Sequence, residues 1–156
     1  MVEKKDMVIT KLENGTVIDH IPAGRSLDIL NALGLLKRGG KKIAVIMCVD
    51  SKKLGKKDLL KIESLALESK TLEGKIAIIA PGSDISIIEN YNLISKHEVS
   101  ISDRLVSTLR CINSKCISNT NEDIKSHFDV ISRLPLKVRC HYCERVYCKD
   151  GIVVDV

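Results

Sequence analysis

Apolar positions in the first hundred residues fall into short blocks separated by turn-forming residues. Thr16-Val17-Ile18-Asp19-His20-Ile21 reads as a strand, closed by Pro22-Ala23-Gly24. Leu27, Ile29, Leu30 and Leu33 then recur at helical spacing, with Ser26 as candidate N-cap and Gly34 near the end. Residues 43–49 form an apolar, β-branched run, the pattern of a buried strand carrying Cys48 as a core thiol. Residues 59–67 fit both periods: Leu60 with Ile62 alternates like a strand, whereas Leu59, Ile62, Leu65 and Ala66 recur like a helix. Residues 76–80 read as another buried strand, stopped by Pro81-Gly82. Ile85-Ser86-Ile87 and Leu93-Ile94 flank Asn90-Tyr91-Asn92 as a hairpin. The order, roughly βαβ-β-α-β plus a hairpin, predicts an α+β fold. Its architecture would be a ferredoxin-like split βαβ sandwich with helices on one face of an antiparallel sheet.

The pattern changes near residue 102. One cysteine precedes that point and five follow it. Residues 105–109 read as a strand running into Cys111, and residues 136–139 and 145–147 bracket Cys140-His141-Tyr142-Cys143 as a hairpin with a knuckle at its tip. The chain therefore divides into residues 1–101 and 102–156, joined by a short polar junction at 97–103, so the two units are expected to touch. A unit of about 55 residues is too small to bury an adequate core unaided, and a metal staple makes physical sense there.

The four cysteines of that unit are spaced C-x4-C, 23 residues, C-x2-C. Two short chelating loops deliver four thiolates in pairs, which suits one tetrahedral structural Zn²⁺ held by Cys111, Cys116, Cys140 and Cys143. Four protein ligands leave no open position, so the metal is not expected to be catalytic. His141, beside a ligand, should point outward, and Cys148 reads as a small strand residue. Six cysteines without a signal-peptide core or an apolar run of membrane-spanning length argue for a soluble, cytoplasmic, reducing setting.

Composition narrows the partners. Apolar residues make up 44% of the chain, enough for a core, while aromatics at 3% disfavour binding by base stacking. A net charge of +5 suits an anionic partner without identifying it.

Four segments in order resemble the regulatory chain of aspartate carbamoyltransferase. They are Gly15-Thr16-Val17-Ile18-Asp19-His20-Ile21-Pro22-Ala23-Gly24, Gly55-Lys56-Lys57-Asp58-Leu59-Leu60-Lys61-Ile62-Glu63, Glu89-Asn90-Tyr91 with Lys96, and the cysteine strings around Cys111 and Cys140. The resemblance implies a chain without catalytic activity, whose N-terminal domain binds CTP and ATP, with UTP a further candidate, as allosteric effectors. Its small all-β zinc domain, rubredoxin-like or zinc-ribbon-like, would dock on the catalytic chain of the pyrimidine pathway. Regulatory chains would pair through their N-terminal sheets, three dimers tying two catalytic trimers together. By position, Asp19 and Lys61 would meet the ribose and base side, His20 and Lys96 the phosphates, backbone groups of Ile9 and Leu12 the exocyclic amine, and Tyr91 and Leu59 the base. The family's N-terminal phosphate-binding lysine is matched here by Asp6, with Lys4 and Lys5 as substitutes, and a pocket asparagine is matched by Ser86.

Two rivals share the cysteines. A zinc-ribbon nucleic-acid-binding protein would concentrate basic and aromatic residues around the knuckle, but Asp123, Glu144 and Asp150 dilute Lys137, Arg139, Arg145 and Lys149. A thiol–disulfide oxidoreductase would place its C-x-x-C at a helix start after a buried strand, which this pattern lacks. Neither a nucleic acid nor a membrane is expected as a partner.

Overall fold

The computed structural model describes residues 11–37, 39–67 and 69–156. The N-terminal half runs β1 (Gly15–Pro22), α1 (Ser26–Ala32), β2 (Ile43–Ser51), β3 (Gly55–Glu63), α2 (Lys70–Ile79), β4 (Asp84–Glu89) and β5 (Asn92–Glu98). Its five-stranded antiparallel sheet is ordered β2-β3-β1-β4-β5, so β1 lies centrally between β3 and β4, as in a split βαβ sandwich. Ile18, Ile21, Leu60, Ile62 and Ile85 project from the sheet onto Ile29, Leu30, Ile76, Ala77 and Ala80. The expected α+β class holds.

Several elements differ from their sequence reading. Residues 76–80 close helix α2; Leu72, Ile76 and Ile79 fall at i, i+4 and i+7 on one face, and a short apolar run cannot by itself separate helix from strand. Residues 55–63 resolve the ambiguous segment as a strand. β2 is an edge strand, not a buried one: Val45 and Met47 are exposed, and so is Cys48, which is no core thiol. Ser26 is the first residue of α1, not its cap; the cap position is Arg25, which makes no side-chain capping bond. Asp58 of β3 instead accepts the N–H groups of Gly24 (2.9 Å) and Ser26 (3.2 Å).

The C-terminal half contains β6 (Arg104–Val106), β7 (Leu109–Arg110), α3 (Ile117–Thr120), β8 (His127–Arg133), β9 (Leu136–Cys140), β10 (Val146–Cys148) and β11 (Val153–Val154). Its larger sheet is ordered β10-β9-β8-β6, and β11 pairs with β7. The single strand expected at 105–109 is two, because Ser107 adopts a left-handed backbone (φ 54°) between them. Strand β8 had no counterpart in the sequence reading, its His127, Asp129 and Arg133 masking the inward Phe128 and Val130. The cysteine hairpin is present as expected. The halves touch: Ile101 packs on both cores, and Gly74 of α2 faces Leu105 and Thr108.

Candidate metal centre and open sheet face

The four cysteines converge from the loop after β7 and the β9–β10 knuckle. Asn119 holds the first loop by donating to the carbonyls of Cys111 (2.6 Å) and Asn113 (2.8 Å). Glu144, at φ 58°, turns the second, where the Cys140 N–H donates to the Arg145 carbonyl at 2.9 Å. All four Sγ atoms lie within 4.8 Å of one another. The Sγ atoms of Cys111 and Cys143 are 3.6 Å apart, and those of Cys116 and Cys140 are 3.7 Å apart. A tetrahedron with Zn–S bonds of about 2.3 Å has edges of about 3.8 Å, so this donor set fits zinc, whereas a disulfide would need about 2.05 Å.

The surroundings favour holding thiolates against a cation. The Tyr147 hydroxyl lies 3.2 Å from Cys111 Sγ, and the Ser118 hydroxyl 3.2 Å from Cys116 Sγ. Burial, then contact with Cys111, raises the Tyr147 hydroxyl above its ordinary value, leaving it protonated to donate. In the thiol form, burial pushes Cys140 up to about 12. Burial is outweighed at Cys143, where the Arg145 N–H, the Asn113 side chain and the thiols of Cys111 and Cys140 bring it down to about 6. Binding a cation here must therefore displace protons. Sequence reasoning missed Tyr147, whose role depends on strand β10 running back past Cys111.

The second arrangement lies on the sheet face opposite the helices. Cross-strand partners share a face, so the pairings Ala44↔Lys61, Lys61↔Val17, Val17↔Ser86 and Ser86↔Lys96 define one row across all five strands. Two residues further along β1, Asp19 pairs with Asp84, which pairs with Glu98. Both neighbours of β3 bulge at this level. The register shifts between Ile18 and Ile21 and between Ile46 and Val49, with left-handed backbones at His20 (φ 55°) and Cys48 (φ 58°). Asp58 pins the second bulge by accepting the Cys48 N–H at 2.9 Å.

Lys57 Nζ sits 2.7 Å from Asp19 Oδ1, and the His20 N–H donates to the same oxygen at 2.6 Å. Burial works against the Asp19 charge, but these contacts outweigh it and hold the carboxyl below its ordinary value. Leu59 is half-buried on the same strand as Lys61. Leu12 and Tyr91 lie at the far end, where the Tyr91 N–H donates to the Glu13 carbonyl. Tyr91 is 61% exposed in the β4–β5 turn. Ile9 lies outside the described residues, as do Lys4, Lys5 and Asp6. Sequence reasoning gave no role to Lys57, Asp58 or Asp84. A concavity of about 580 Å³ lies elsewhere, between the helix layer and the C-terminal half, lined by Arg25, Ile78, Ile101, Leu136 and Ile152 among others.

Residues 7–100 match the family described as aspartate carbamoyltransferase regulatory chain, allosteric domain, and residues 103–153 match its metal binding domain. The chain belongs to the aspartate carbamoyltransferase regulatory chains. It is 42% identical to the aspartate carbamoyltransferase regulatory chain of Metallosphaera sedula, covering 100% of this chain and 99% of the relative. Identity to that of Thermococcus onnurineus is 46% over 97% and 99%, and to that of Methanothermobacter thermautotrophicus 43% over 94% and 93%. As a regulatory chain it is a non-catalytic subunit that associates with the catalytic chain. The cysteine cluster within a metal binding domain makes zinc its structural cofactor. Among the described residues, no helix is long and apolar enough to cross a membrane.

Proposed function

We propose that this regulatory chain senses nucleoside triphosphates, CTP and ATP with UTP as a further candidate, in cytoplasmic pyrimidine biosynthesis. Residues 1–101 form the effector domain and residues 102–156 the docking domain, with Cys111, Cys116, Cys140 and Cys143 as the zinc ligands. The observation that carries the reading is the open-face row. It offers the cations Lys61 and Lys96 beside Asp19 and His20, the mix needed for phosphates and ribose hydroxyls together. Leu59 and Tyr91 take the base, and backbone groups of Leu12 and Ile9 take its exocyclic amine. Two such chains pair through their sheets, and three pairs join two catalytic trimers.

An effector acts only through different affinities for two quaternary states, a coupling typically worth about 1–3 kcal/mol or roughly 5–150-fold. The test is aspartate saturation of the enzyme reconstituted from this chain and its catalytic partner, with and without CTP and ATP. A shift in half-saturation with either nucleotide is expected, and its direction gives the sign. Complex formation with no shift from either would reject the regulatory role.

A further inference from the structure

We propose that Asp84 is a positioning residue for His20, fixing the imidazole so that one chosen ring nitrogen faces the effector phosphates; this rests on the nucleotide reading above. His20 Nδ1 lies 2.7 Å from Asp84 Oδ2, whereas the adjacent Asp19 Oδ2 is 3.9 Å away. The ring is therefore held by a residue 64 positions along the chain, not by its neighbour. Both side chains are mostly buried, at 25% and 17% exposed, so water does not readily replace the contact.

The arrangement is costly unless it has a use. His20 takes a left-handed backbone that non-glycine residues disfavour, and Asp84 sits directly opposite Asp19, a like-charge pairing that destabilises a sheet. Lys57 offsets Asp19, which leaves Asp84 to the imidazole. A bulge re-aims the side chain it carries, and here it aims the ring along the sheet toward β4. With Nδ1–H donating to a carboxylate, Nε2 is the nitrogen left for a ligand, and because phosphate oxygens only accept, it takes up a proton on binding and donates as Nε2–H. A ring held this way before binding loses less freedom on binding.

The experiment is calorimetric titration of the full-length chain with CTP and, separately, with cytidine. Asp84→Ala should weaken CTP by about fivefold to tenfold, the scale of one hydrogen bond, and cytidine by less than about twofold. Asp84→Asn, whose Oδ1 still accepts from Nδ1–H, should recover most of the loss. The double variant His20→Ala with Asp84→Ala should bind CTP no more weakly than His20→Ala alone. Equal losses for CTP and cytidine, or additive losses in the double variant, would overturn the proposal. ¹⁵N NMR of the His20 ring reads it without any nucleotide: the wild type should carry its proton on Nδ1, and Asp84→Ala should redistribute it. A bare Nδ1 in the wild type overturns this inference on its own, whereas absent CTP binding with a protonated Nδ1 overturns the nucleotide reading instead.

Discussion

Asp58 is a carboxylate with no exposed surface, yet it keeps its charge. Burial would raise its pKa, but the N–H groups of Cys48, Ser26 and Gly24 converge on its oxygens and hold it below the ordinary 3.8. One side chain thereby fixes the start of α1 and the bulge of β2, and its neighbour Lys57 reaches Asp19. Because the folded value is depressed, the stabilisation is complete above the unfolded value and is lost as pH falls through the folded one. Asp58→Ala should cost about 3 kcal/mol at pH 7, the usual scale for leaving buried donors without their charged acceptor. Urea unfolding measures it, and the gap between wild type and variant should narrow below about pH 4. An unchanged urea midpoint at pH 7 would refute the assignment. Neither Asp58 nor Asp84 could be given this role from sequence, because each role is created by pairing strands far apart in the chain. The cysteines were legible because their C-x4-C and C-x2-C spacing delivers thiolates in pairs, and the fold brings all four together. Asp19, His20 and Lys61 stand out only through the strings that resemble the family, and their roles belong to the proposed function.

Element types were readable where the period was unambiguous, as in β1 and in the β4–β5 hairpin, whose turn residues Asn90 and Tyr91 both adopt positive φ. The pattern misleads where an apolar run does not mean burial. Residues 43–49 look like a central strand, but β3 covers only one side of β2, and the other side has no partner strand among the described residues. An edge of this length with Val45 and Met47 exposed invites pairing with another strand. If two copies join along β2, Val45→Lys should weaken the dimer at least tenfold while leaving the fold intact, since a charged edge side chain opposes strand addition. Sedimentation equilibrium of the isolated regulatory chain would show the change. An unaltered dimer would move the pairing to β5, whose Leu93 and Ile94 are also exposed.

At the scale of the whole molecule, the two cores meet at Ile101 and where Gly74 faces Leu105 and Thr108, which makes that contact the route to test for the proposed effector signal. The zinc half depends on its metal for roughly 10–16 kcal/mol of apparent binding free energy, which for so small a unit is folding free energy. Cys140→Ala should therefore lose zinc, measured by atomic absorption, and with it assembly with the catalytic chain. Nucleotide binding by the N-terminal half should survive that substitution. The contact between halves can be tested more finely at Gly74, where helix α2 approaches β6 and the turn beyond it. A Cβ built there meets Thr108 Cγ2 at 3.5 Å and Leu105 Cδ2 at 3.7 Å, ordinary contact distances, so Gly74→Ala should fold normally. It should even gain slightly, since glycine inside a helix costs about 0.5–1 kcal/mol relative to alanine. Gly74→Leu has no such room. Its branches must displace Leu105, a core residue of the zinc half, or push the halves apart, and overpacking of this kind costs about 1–3 kcal/mol. Leu105 shares its core with Cys111, Cys116 and Cys140 without being a metal ligand, and none of the open-face row lies on α2. Gly74→Leu should thus keep its zinc and its CTP affinity while the CTP-induced shift in aspartate half-saturation shrinks. A full-sized shift in a variant proven to have moved Leu105 would mean that the effector signal bypasses this contact.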